Sequence, residues 1–316
     1  MLESQSHKIK DATQSYLINL KVQNRSPRSV YWYTDIFDQF LRWCAEKRLT
    51  RLDQLSGEVL REFFVYLQDK HYNPQTKKNG LAQSSRAGYF RALRALFNYL
   101  VAEEWITQSP MRNIKGINQP KDKVDPFEPE EIEKLLSHIS RKTFLGIRDY
   151  TLIWLLYDTG LRITEALSLT DNDIHLIEMF VQVMGKGGKQ RIVPYGLMTR
   201  KILHKYLDRV KRMERLTDKV FITRGGLPLG YRAFARAMAR YGDRAKITRV
   251  RVSPHTLRHT FAIQYLLNGG DVFSLQARLG HESLEMTGKY LKFTQSMLKD
   301  QQRRFSPGDA LVRGAN

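Results

Sequence analysis

The chain predicts a mainly α, α+β protein of two domains. It has an N-terminal bundle of four helices and a larger, mostly helical second domain that carries a small three-stranded antiparallel sheet. Three observations predict this. Its 316 residues are enough for two separate cores, with 42% apolar and 11% aromatic content typical of a folded chain. Apolar residues recur at three- and four-residue steps through most of the sequence. One stretch, KGINQPKDKVDPFEPEE, breaks that rhythm with turn formers, charges and three prolines. It divides the chain into residues 1–119, a linker at 120–126, and residues 127–316.

The first domain reads as helical from about Ala12 to Ile106. Ser26 is a good N-cap with Pro27 at the first helical position, and Val30, Tyr33, Phe37, Phe40 and Leu41 then mark one buried face. A third helix follows LSGE with Val59, Phe63, Val65, Tyr66 and Leu67. HYNPQTKKNG reads as a loop from its Asn-Pro and Asn-Gly turns. A fourth helix begins near Ser84 or Ser85 and buries Phe90, Leu93, Phe97, Leu100 and Val101, leaving Arg86, Arg91 and Arg94 mainly off that face.

In the second domain, Pro129-Glu130-Glu131 opens a helix with acids in its first turn, as the helix dipole favours. Asp173 to Val183 alternates as two short strands, Arg191-Ile192-Val193 is a third, and Gly185-Lys186-Gly187-Gly188 turns between the last two. Helices are expected at Met198–Met213, Tyr231–Tyr241, Thr256–Leu267 and Asp271–Leu279. A short helix capped by Ser283 leads towards Tyr290, with Gly288 inside it. That glycine weakens the helix by about 0.5–1 kcal/mol, so the segment is expected to move.

Composition limits the function. The net charge of +20 and pI near 10.0 point to a polyanionic partner. Both halves are basic: residues 1–120 carry 18 Lys/Arg against 11 Asp/Glu, and the rest carry 34 against 21. A clamp around one polyanion fits this better than a charged tail. The single cysteine, Cys44, leaves no disulfide framework and no multi-cysteine zinc site, and its helical setting reads as a buried thiol. The N-terminus has no apolar leader and no segment offers the ~20 apolar residues of a membrane span, so a cytoplasmic location with no membrane partner is expected.

Four strings gather the residues that could carry chemistry: TGLRITEAL with Arg162, GKGGKQRIVP with Lys186, SPHTLRHTFA with His255 and Arg258, and LGHESLEMTGKY with His281 and Tyr290. Arg162 and Lys186 are 24 positions apart, His255 and Arg258 3, Arg258 and His281 23, and His281 and Tyr290 9. Fixed guanidinium forks, an ammonium, imidazoles and a phenol suit attack on a phosphodiester without a metal. A zinc site at His255, His259 and His281 is the competing reading. It lacks the glutamate base, since Thr256 stands there, and it would put the cation of Arg258 beside the metal. GKGGK is not a Walker A loop, because the G-x-x-x-x-G-K-[ST] spacing is absent.

In residue content, order and separation these strings resemble the active-site segments of the tyrosine recombinases, the integrase family that includes the Xer-type enzymes. The resemblance runs from about residue 10 to residue 300. It implies a site-specific recombinase that cuts and rejoins DNA through a 3′-phosphotyrosine, with neither ATP nor a metal or other cofactor. Tyr290 would be the nucleophile, Arg162 and Arg258 the phosphate clamp, and Lys186 the proton donor to the leaving 5′ oxygen. His255 would assist deprotonation and His281 would hydrogen-bond a nonbridging oxygen. Glu165 would orient or pair with Arg162, and His259 would support the site by packing or a secondary contact. Lys189 is the competitor for the lysine role and otherwise a DNA contact.

The four basic helices would be the core DNA-binding domain, using Arg86, Arg91 and Arg94. Arg232, Arg236 and Arg240, spaced by four on one helix, form a stripe able to enter a groove, with Phe234 and Met238 on another side. The partner would be double-stranded DNA with specific recombination sites, bound by a homo-tetramer or together with a sister recombinase. In that assembly the tail after Tyr290 would dock on a neighbour through Phe293, Met297, Leu298 and Phe305, or pack on its own domain. With little chain before residue 10, no arm-binding domain is expected. Two alternatives remain at this point: a type IB topoisomerase that religates the same duplex, and a catalytically silent DNA-binding protein.

Overall fold

A computed structural model describes residues 7–73, 78–117, 125–185, 188, 190–281, 283–288, 290–291, 302 and 306. The chain divides into two units, Met1–Asp122 and Lys123–Asn316. In the first, α1 (Ile9–Val22), α2 (Pro27–Glu46), α3 (Gly57–Asp69) and α4 (Gln83–Ala102) surround one core. Local chemistry starts two of them: the Ser26 and Ser56 hydroxyls accept from the amides of Ser29 and Val59, each at 3.2 Å. Phe37, Phe40, Trp43, Phe63 and Phe97 fill the centre, and Phe63 meets Phe40 edge-on with ring centroids 5.0 Å apart. Cys44 is buried among them, and burial pushes its thiol up to about 12.

Two sequence expectations change here. Helix α4 starts at Gln83, one or two residues early and without a side-chain cap. The expected loop at 71–80 contains a small ladder, with β1 (Tyr72–Asn73) antiparallel to β2 (Lys78–Asn79). Gly80 closes it at φ +87°, where a Cβ would lie 2.2 Å from the Gln68 carbonyl oxygen.

The second unit begins with α5 (Pro129–Ser137), entered through a capping box between Glu128 and Glu131. Next come α6 (Phe144–Thr159) and α7 (Ile163–Ser168), then β3 (Ile174–His175), β4 (Phe180–Met184) and β5 (Gln190–Pro194), an antiparallel sheet in the order β3-β4-β5. Helices α8 (Leu197–Val210), α9 (Tyr231–Arg244), α10 (Pro254–Leu267), α11 (Val272–Leu279) and α12 (Leu284–Gly288) complete it. Sequence periodicity did not single out α6 because it is buried nearly all round and so lacks a polar stripe. Even its charged pair is inside: Arg148 meets Asp149 at 2.7 Å, and Tyr241 donates to the same carboxylate at 2.9 Å. Helix α10 starts two residues before Thr256, capped by Ser253, while Asp271 is the cap of α11 rather than part of it.

The packing of α6 on α10 sets up the region of interest. Helix α6 stops at Gly160, at φ +64°, where a Cβ would fall 2.1 Å from the Phe261 ring on α10. Only a glycine lets the end of α6 approach α10 so closely. That contact brings the Gly160 carbonyl to the side chain of Arg258.

Candidate active site

Arg162 is the N-cap of α7. Glu165 reaches back as in a capping box, accepting from the Arg162 amide at 2.8 Å and from its Nη1 at 3.0 Å. The same guanidinium donates to the carbonyls of Leu279 (3.3 Å) and Gly280 (3.2 Å), at the end of α11. Arg258 comes from α10 and is buried. It donates to the carbonyls of Gly160 at 2.6 Å and Leu279 at 2.7 Å. Two guanidinium groups from residues 96 positions apart therefore share the Leu279 carbonyl. Burial, then the neighbouring charge of Arg162, pushes Arg258 down to about 10, so it remains cationic at neutral pH.

Arg258 Nη2 also lies 3.2 Å from Nε2 of His281. An arginine can only donate, so Nε2 accepts, and the ring proton sits on Nδ1, which donates to the buried Thr287 hydroxyl at 2.8 Å. Gly280 (φ +60°) caps α11 immediately before His281, and α12 supplies Thr287, so the end of one helix and a side chain of the next orient the imidazole.

Tyr290 lies just past the end of α12, its amide donating to the Thr287 carbonyl at 3.0 Å. Gly288 is the last residue of that helix rather than an interior one, and a Cβ there would meet nothing within 4 Å. The Tyr290 ring is buried in a cluster that includes Phe261, Leu275 and Leu279, with the His259 ring 5.0 Å away. Burial raises its phenol above the ordinary 10, and the Arg258 charge pulls it part of the way back.

His255 is exposed on the first turn of α10, one turn before Arg258. His259 is half-buried one turn on, beside Tyr290. Arg162, Arg258, His281 and Tyr290 thus converge on one region, with His255 and His259 on the helix that supplies Arg258. The arginines of the α9 stripe, Arg232, Arg236 and Arg240, are all exposed while Phe234 and Met238 are buried. On α4, Arg91 and Arg94 are exposed and Arg86 is half-buried, donating to Gln68. Lys186 and Lys189 lie outside the described residues, as do Phe293, Met297, Leu298 and Phe305 of the tail.

One participant escaped the sequence reading. Arg191, counted there only as a strand residue, grips Glu165 with both forks (3.0 and 2.8 Å) and donates from Nε to the Arg278 carbonyl at 3.1 Å. Burial alone would raise the Glu165 carboxyl. Hydrogen bonds from Arg191 and the Arg162 amide outweigh that and hold it below its ordinary range.

Comparison with known proteins agrees with this layout. Residues 126–297 match the profile of the phage integrase family, and residues 11–117 match that of the phage integrase SAM-like domain. The chain belongs to the phage integrase family and is a site-specific tyrosine recombinase of Xer-like layout. It is 35% identical over 235 residues to tyrosine recombinase XerD of Listeria monocytogenes, covering 73% of this chain and 79% of the relative. To tyrosine recombinase XerC of Myxococcus xanthus it is 33% identical over 282 residues, covering 87% and 90%. Among solved structures, the fold is similar to that of XerH site-specific recombinase in a post-cleavage complex with its palindromic difH substrate. The TM-score is 0.72 at 24% identity, over 92% of this chain and 83% of that one. Among the described residues, no helix is long and apolar enough to cross a membrane.

Proposed function

We propose that Tyr290 is the nucleophile of the recombination reaction and that Arg162, Arg258 and His281 hold the scissile phosphate. The observation that carries this is the convergence of the four side chains, with Arg258 bonded to the His281 ring and its charge acting on the Tyr290 phenol. The Tyr290 oxygen attacks phosphorus, the bond to the 5′ oxygen breaks, and a 3′-phosphotyrosyl link forms. The two guanidinium groups offset the charge that builds on the nonbridging oxygens. The phenol is protonated at neutral pH, so its proton must leave as it attacks, and His255 is the base assigned to assist. Lys186 returns a proton to the departing 5′ oxygen, and a partner strand's 5′ hydroxyl reverses the step. In the arrangement seen here Nε2 of His281 accepts from Arg258. To donate to the phosphate it must gain a proton, while Thr287 keeps the ring in place through Nδ1.

The first unit is read as the core DNA-binding domain and residues 127–316 as the catalytic domain with a docking tail. The exposed arginines of α4 and α9, together with Lys189, then contact duplex DNA that bears specific recombination sites. Basic charge in both halves supports a clamp. Four protomers on two sites, or two with a sister recombinase, complete the assembly, and action on cellular DNA fits a cytoplasmic location. The direct test mixes the protein with fragmented host DNA, denatures it and recovers covalent adducts, with Tyr290→Phe as control. Adducts that vanish in the variant support the assignment, and their persistence would sink it.

A further inference from the structure

We propose that Arg191 is a positioning residue for Arg162, acting through Glu165 and through the end of α11. The inference rests on the reading of Arg162 as a phosphate ligand. Arg191 is the second residue of β5, remote in sequence from both elements it joins. Its Nη1 and Nη2 donate to Oε1 and Oε2 of Glu165 at 3.0 and 2.8 Å, the parallel two-bond geometry that only a guanidinium supplies. Glu165, so held, presents Oε2 to the Arg162 amide and Oε1 to Arg162 Nη1. One carboxylate therefore receives four N–H donors, and the pair from Arg191 sets its plane.

The second link runs through α11. Nε of Arg191 donates to the Arg278 carbonyl, two residues before the Gly280 carbonyl that accepts from Arg162. Arg191 packs so closely on Gly280 that a Cβ there would lie 3.0 Å from its Cζ. Arg162 is thus braced on both sides by groups that Arg191 fixes: the carboxylate of Glu165 and the turn leading into His281. Arg191 is half-buried, with 14% of its side chain exposed, whereas Arg162, with 38% exposed, is the one open to a ligand. The charged groups facing Glu165 are Arg162 from its own turn, Arg191 from β5 and Arg258 from α10.

The test compares wild type with Arg191→Met, Arg191→Lys and Gly280→Ala. The DNA recovered in wild-type adducts serves as substrate, with single-turnover adduct formation, gel-shift affinity and carboxyl carbon NMR of Glu165 as readouts. Misplacement of a phosphate ligand by about an ångström predicts a rate loss of about 100-fold for Arg191→Met with affinity nearly unchanged. It also predicts a new fall in rate on the acid side as Glu165 begins to take up a proton. Arg191→Lys, a point charge without the fork, recovers only part of the rate, and Gly280→Ala, which pushes Arg191 aside, reproduces the loss. A rate equal to wild type, or affinity lost in step with rate, overturns the proposal. The NMR arm needs no DNA: a Glu165 titration unmoved in Arg191→Met and Arg191→Lys also overturns it. If Arg191→Met fails to fold, Arg191→Lys decides. Adducts that persist in Tyr290→Phe would instead overturn the nucleophile assignment, leaving the effect of Arg191 readable as a difference between variants.

Discussion

The two units bury different chemistry. In the first, Thr13 is the one buried hydroxyl-bearing aliphatic side chain among the described residues, and the rest of the interior is aliphatic, aromatic or, at Cys44 and Met111, sulfur-bearing. In the second, Arg148, Asp149, Glu165, Arg258 and His281 are all buried beside an apolar core of similar make-up. Charged groups cost free energy to bury unless every donor and acceptor is matched. The second unit matches them with main-chain carbonyls that helix ends leave unpaired, at Gly160, Leu279 and Gly280. The first unit is thus built as a scaffold. The second stores preorganised cations at helix ends, which an enzyme acting on an anionic phosphodiester needs before its substrate arrives.

Breaking each kind of core should give distinguishable damage. Phe63→Ala removes the ring at the centre of the first unit and should cost about 4 kcal/mol. Hydrogen exchange should then show lost protection in α1 to α4, since the cavity opens there. Arg258→Ala takes the side-chain donor from the Gly160 carbonyl and leaves the Leu279 carbonyl with Arg162 alone, predicting a loss of about 3 kcal/mol centred on the second unit together with loss of adduct formation. Chemical denaturation of purified variants reads both.

A smaller effect comes from acid. Glu165 is held below its ordinary 4.5, so its contribution to stability is fully present above that pH and is lost as pH falls through its folded value. Glu165→Gln should flatten that part of the pH–stability curve while leaving a costly mismatch with Arg191 at every pH. The smallest change is expected from Arg236→Ala on the exposed α9 stripe. It should weaken DNA binding across sequences and lower the salt slope by about 1, with no change in stability. Affinity unchanged across salt concentrations would remove α9 from the DNA surface.

How much of this was legible in the chain follows the same division. The scaffold was readable because its rules are local. Ser26-Pro27 and Ser56 mark helix starts, and Phe37, Phe40, Phe63 and Phe97 fall on one face of their helices. The chemical strings were readable by resemblance, and Glu165, expected to orient or pair with Arg162, bonds to its amide and guanidinium. What stayed hidden is long-range. Arg191 lies 26 positions after Glu165 and 87 before Arg278, and strand alternation says nothing about which distant carboxylate a side chain meets. Helix α6 escaped because burial all round erases the amphipathic period. Gly160 and Gly280 signal only a turn in sequence, yet their close approaches fix where Arg258 and Arg191 lie.

The most direct test of the central claim is to digest the denatured protein–DNA adduct with protease and identify by mass spectrometry the residue that carries the nucleotide. A phosphate ester on Tyr290, joined to the 3′ end of the cut strand, is the expected result. A nucleotide on another of the chain's tyrosines, or linkage to a 5′ end, would contradict it.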